Sequence, residues 1–142
     1  MDGVLGAAVV AVLGLAAWSQ VRPWLSVRGV TPRQLERWLE EGPVVVADLR
    51  SPEEFERAHL PGAISVPWVR VPQRSRVWAP DQRLVLVCRT GSRSLQAVRF
   101  LQSRRFRDVH WLRGGMLGWA GWRVRHPGRV GDGRAAGRGE HV

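Results

Sequence analysis

The chain has one cysteine, Cys88, and no lysine, asparagine or tyrosine. A lone cysteine excludes an intramolecular disulfide and any multi-cysteine zinc site. It also excludes a resolving thiol within the chain, so a product formed on Cys88 has to pass to another molecule. Isoleucine occurs once, as Ile64. The missing amino acids are those with A/T-rich codons, which points to a GC-rich bacterial genome and to no particular mechanism. The formal charge is +10 and every residue in the Lys/Arg count is arginine. That excess favours anionic partners such as small anions or phospholipid head groups. No recognition-helix or RNA-binding signature accompanies the charge, so no nucleic-acid partner is expected.

The 142 residues leave room for one domain with short appendages. Gly3 to Val21 carries no charge, and Val4 to Trp18 is almost wholly apolar. Such a run is near the lower limit for a membrane-spanning helix. Trp18 and Trp24 fall where an interfacial belt would be, and Arg22, Arg28 and Arg33 follow, which would put the C-terminal side in the cytoplasm. The expectation is a single-pass anchor over 1–24, with a cytoplasmic domain over 25–125. A cleaved signal peptide would want a basic residue before the run, and none is present; a buried helix is the other alternative. Residues 126–142, rich in Gly and Arg, are expected to be a disordered basic tail, either solvated or drawn to the anionic leaflet.

Between these ends, strand and helix signals alternate. Thr31-Pro32 reads as a helix start and Gly42-Pro43 as its end. Val44 to Leu49 is a strand buried on both faces. Ser51 with Glu54 forms a capping-box pattern opening a short helix, through about Ala58. Ala63 to Val66 is a short strand, and 67–83 is irregular with at most a helical turn. Leu84 to Val87 is a second buried strand, Ser92 to Arg104 a helix with Leu95, Val98 and Leu101 inward. Val109 to Leu112 is a further strand, and Met116 to Trp122 a last helix. Such alternation predicts an α/β domain with a central parallel sheet and helices on both faces.

Residues 88–94, Cys-Arg-Thr-Gly-Ser-Arg-Ser, join a buried strand to a helix start. Such a loop aims several backbone N–H groups, and the positive end of a helix dipole, at one point. With cysteine in first position the stabilised anion can be a thiolate, and Arg89 and Arg93 add to the effect. Cys-x-x-Gly-x-Arg after a hydrophobic strand resembles the active-site loop of rhodaneses, the thiosulfate-type sulfurtransferases. Asp48 to Phe55 with His59 to Ala63 resembles that family's upstream signature, and Leu112 to Met116 with Trp119 its closing segment. Ala58 stands where the family usually has glycine.

The resemblance implies a rhodanese-like fold and ping-pong transfer of sulfane sulfur. Cys88 would take the outer sulfur of thiosulfate or a similar donor and pass it from a persulfide to cyanide, a thiol or a protein acceptor. No metal and no organic cofactor is needed. In the active-site loop, Gly91 permits a positive φ or a close approach, Arg93 binds substrate or, preferably, braces the loop, and Arg89 either steers anions or is merely solvated. Thr90 and Ser92 complete the loop. Asp48 and Arg50 are read as structural neighbours, and His59 as part of a turn. Two rivals remain. One is a sulfur-relay module docked at the membrane with little thiosulfate turnover. The other is a cysteine phosphatase or arsenate reductase, which typically has one more residue between Cys and Arg.

Overall fold

The computed structural model describes residues 2–25 and 27–128, with the backbone alone for 2–5 and 20–25. The elements in order are α1 (Asp2–Leu25), β1 (Arg28–Val30), α2 (Pro32–Glu41), β2 (Val45–Asp48), α3 (Pro52–Arg57) and β3 (Ile64–Ser65). A 3-10 turn over Trp68–Arg70 then leads into α4 (Val71–Arg74), β4 (Leu84–Val87), α5 (Ser92–Ser103), β5 (Val109–Leu112) and α6 (Gly115–Arg125). The strands form one sheet in the order β1-β5-β4-β2-β3, with every neighbouring pair parallel. The chain thus has the α/β architecture expected, with β4 in the centre.

Local chemistry sets the helix starts. Thr31 caps α2, its hydroxyl accepting from the Gln34 N–H at 3.2 Å, and Pro32 takes the first turn, where no N–H is needed. At α3 the box is closed from both sides: Ser51 Oγ accepts from the Glu54 N–H and Glu54 Oε2 from the Ser51 N–H, each at 3.2 Å.

Alternation along β4 divides the core in two. Leu84 and Leu86 pack with Ala97, Val98 and Leu101 of α5 on one face. Val85 and Val87 pack with Leu35 of α2, Phe55 of α3 and Trp119 of α6 on the other. Leu95 is only half-buried; Ser94 takes the inward position a turn below Ala97 and Val98 instead.

The membrane anchor is not borne out. Among the described residues, no helix is long and apolar enough to cross a membrane. The unbroken apolar run Val4 to Trp18 is fifteen residues. That gives about 22 Å of helical rise against a hydrocarbon core of about 30 Å. The single-pass, cytoplasm-facing placement falls with it, and so does the membrane as the place where a sulfur relay would dock; the relay itself does not depend on it. Nor is α1 a core helix: Val10, Leu13 and Trp18 are exposed. The expected basic tail, beyond Gly128, lies outside the described residues.

Candidate active site

Parallel strands deliver their C-terminal ends to one edge, and Asp48 of β2 is in register with Val87 of β4. Cys88 follows Val87 at that edge, at the centre of the sheet. Its side chain continues the face of Leu84 and Leu86 and touches the α5 side of the core. The residue is 2% exposed, yet it lines a cavity of about 240 Å³ shared with Arg50, Glu54, Arg89, Thr90, Ser92 and Arg93. The sulfur is therefore at the floor of a small opening, not sealed in apolar packing.

The loop wraps around that sulfur. The Gly91 N–H donates to Cys88 Sγ at 3.1 Å. Gly91 has φ +109 and stands immediately before α5. A Cβ there would come 2.6 Å from the Trp111 ring, so positive φ and close packing both demand glycine. Burial pushes the thiol pKa up, but the Ser94 hydroxyl and the N–H groups of Ser94, Gly91 and Arg93 outweigh it and hold the pKa below the ordinary 9.0. Ser94 Oγ is buried and makes no hydrogen bond of full geometry with any group among the described residues. Its contribution is that of an O–H free to turn toward a charged sulfur.

The expected site residues divide cleanly. Cys88, Arg89, Thr90, Ser92 and Arg93 line the cavity, while Gly91 lies beneath it as a buried donor. Arg89 and Arg93 are exposed at the mouth, and neither has an ion-pair partner among the described residues. Asp48 and Arg50 form a buried pair: Arg50 Nη2 lies 2.6 Å from Asp48 Oδ2 and donates also to Ala58 O at 2.6 Å. The pair ties the end of β2 to the end of α3, and Arg50 presents one flank to the cavity. Ala58 has φ −167, extended backbone that any residue adopts, so the departure from glycine costs nothing there. His59 Nδ1–H donates to Phe55 O (2.9 Å), and the imidazole stacks on the Phe55 ring.

Sequence reasoning missed Ser94, Glu54 and Trp111 as parts of this site. A signal for Ser94 existed: it occupies an inward position in the helical stripe completed by Ala97, Val98 and Leu101. Glu54 was recognised only as a cap. Trp111 reaches the loop from a neighbouring strand, and only the sheet order shows that.

Residues 31–121 match the family model of the rhodanese-like domain. A sulfurtransferase of Allochromatium vinosum is 33% identical over 85 residues, covering 60% of this chain and 79% of that protein. The thiosulfate sulfurtransferase GlpE of Pseudomonas syringae is 32% identical over 90 residues, 63% of this chain and 84% of the relative. The chain spans only 24% to 50% of the length of some other curated relatives that it matches. Among solved structures, a rhodanese-like domain protein from Staphylococcus aureus superposes with a TM-score of 0.61 at 28% identity, over 66% of this chain and 91% of that one. With a parallel sheet of this order, a cysteine loop at its centre and a family match over most of the folded residues, the chain belongs to the rhodanese-like domain family.

Proposed function

We propose that the unit spanning residues 25–125 is a sulfurtransferase that moves sulfane sulfur from thiosulfate, or a similar anionic donor, to a thiophilic acceptor through a persulfide on Cys88. The observation that carries this reading is the Gly91 N–H donating to a buried sulfur that lines an open cavity. A thiolate held by fixed dipoles is a nucleophile prepared before substrate arrives.

In the first half-reaction the Cys88 thiolate attacks the outer sulfur of thiosulfate. The new S–S bond forms as the old one breaks, and sulfite leaves with the electron pair. The terminal sulfur of the persulfide now bears the negative charge. In the second half, cyanide or a thiolate attacks that terminal sulfur, and Cys88 leaves as thiolate. Charge is conserved in each half, and neither needs a metal. The cavity, about 240 Å³, is smaller than the roughly 300–1,000 Å³ typical of drug-sized ligands and suits a small anion. The unpaired guanidinium groups of Arg89 and Arg93 at its mouth favour such a donor. Asp48 and Arg50 brace the wall. Names among the relatives, sulfurtransferase and sulfur carrier, fit partners that give or accept sulfur.

The test is steady-state turnover with thiosulfate and cyanide, beside an aryl phosphate. Parallel double-reciprocal lines for thiosulfate, abolished in Cys88→Ser, are expected. Hydrolysis of the phosphate without sulfur transfer would overturn the reading.

A further inference from the structure

Every peptide unit has an N–H on one side and a C=O on the other, and a thiolate tolerates only the first. Carbonyl oxygens turned toward the sulfur would repel it and raise the cost of ionisation. The loop therefore has to keep its carbonyls outward, and the first two, of Cys88 and Arg89, are the ones nearest the sulfur in sequence. They are held from outside the loop. The Met116 N–H donates to Cys88 O at 2.8 Å and the Leu117 N–H to Arg89 O at 3.2 Å. Both donors belong to the first turn of α6, whose N–H groups have no carbonyl partner within the helix. The unsatisfied end of one helix thus satisfies the loop that feeds another.

The approach is close enough to depend on one residue. Gly115 has φ +57, and a Cβ on it would overlap Cys88 O and lie 2.6 Å from Arg89 O. Gly114, its neighbour, has φ +75, but a Cβ there would meet Gly118 Cα at 3.1 Å, inside its own turn and away from the loop. Adjacent glycines thus separate a backbone requirement, which both carry, from a loop contact, which only Gly115 carries.

We propose that the amino end of α6 is a clamp that holds the Cys88 loop with its amides facing the sulfur, and that Gly115 is the positioning residue that allows the clamp to close. Its consequence for turnover rests on the reading of Cys88 as the nucleophile; its effect on the thiol does not.

The full chain is compared with Gly115→Ala, Gly114→Ala and Met116→Pro by the pH profile of Cys88 alkylation with iodoacetamide, and by thermal melting. Met116→Pro deletes the donor to Cys88 O at the second residue of α6, where no hydrogen bond within the helix is lost. Gly115→Ala and Met116→Pro are expected to move the alkylation profile to higher pH and to slow alkylation at pH 7 by about tenfold or more. Gly114→Ala is expected to lose stability but keep the wild-type profile. The proposal is overturned if the folded Gly115→Ala protein alkylates like wild type, or if both glycine variants shift the profile alike. It is overturned equally if Gly115→Ala and Met116→Pro both fail to fold while Gly114→Ala folds, since the contact would then be purely structural. A shifted profile in a protein that never turns over thiosulfate would sink the sulfurtransferase reading and leave the clamp standing.

Discussion

Truncating Asp48 to alanine strands a buried guanidinium. In the native protein Asp48 Oδ1 accepts from the Arg50 main-chain N–H at 3.0 Å and from Nε at 3.0 Å. Oδ2 accepts from Nε at 3.1 Å and from Nη2 at 2.6 Å. The two side chains are 10% and 0% exposed, so water reaches the guanidinium only along its cavity flank and replaces little of what is lost. After truncation the guanidinium keeps its hydrogen bond to Ala58 O and the longer-range attraction of Glu54 and Cys88. Breaking a buried pair from one side costs about 3–5 kcal/mol, mostly from the charge left behind. For a domain near 100 residues that is a fall in Tm of about 12 °C or more. Urea unfolding followed by tryptophan fluorescence reads it directly, since the chain has eight tryptophans. Replacing both partners, Asp48→Leu with Arg50→Met, removes the stranded charge and should cost much less than the single change. A loss below about 1 kcal/mol for Asp48→Ala, the range of an exposed pair, would refute the view that this pair braces the site.

The geometry of the site predicts other outcomes. Because the Cys88 pKa is depressed, the thiolate persists below the usual range: alkylation should stay fast as pH falls beneath 9.0 and drop only through the lower folded value. Ser94→Ala should move that drop to higher pH, and an unchanged profile would remove Ser94 from the site. Arg89→Gln and Arg93→Gln should each raise the KM for thiosulfate by about two- to fivefold, with added salt eroding the difference, because these are exposed charges. Leu86→Ala, at a fully buried position on the face that carries Cys88, should cost about 2–5 kcal/mol in the same urea assay.

What could be read before folding was whatever depends on a few consecutive residues. The helix starts at Thr31 and Ser51 are side-chain chemistry over three positions, and both occur as expected. Leu84–Val87 is an apolar run and Val109–Leu112 a mostly apolar one broken by His110, both bounded by turn residues, and their limits match. β1 is different: Arg28–Val30 has no alternation to announce it, and only pairing with β5 makes it a strand. The last helix runs on to Arg125, beyond the expected Trp122, into residues with no apolar period to signal it. The site shows the same division. The loop from Cys88 to Arg93 was legible because its chemistry is contiguous. The contributions of Trp111 and of the Gly114-Gly115 turn depend on strand order, which no local pattern encodes. At the other end, an uncharged run with Trp18, Trp24 and arginines toward its C-terminal side suggested a membrane anchor, whereas among the described residues no helix is long and apolar enough to cross a membrane.

The central claim is that the Cys88 sulfur attacks sulfur and keeps it. Intact-mass measurement after brief thiosulfate treatment and removal of excess reagent asks this directly, with Cys88→Ser alongside. The account predicts that the wild type gains the mass of one sulfur atom, that cyanide strips it off, and that the variant gains nothing. A wild-type mass left unchanged, or an equal gain in the variant, would contradict it.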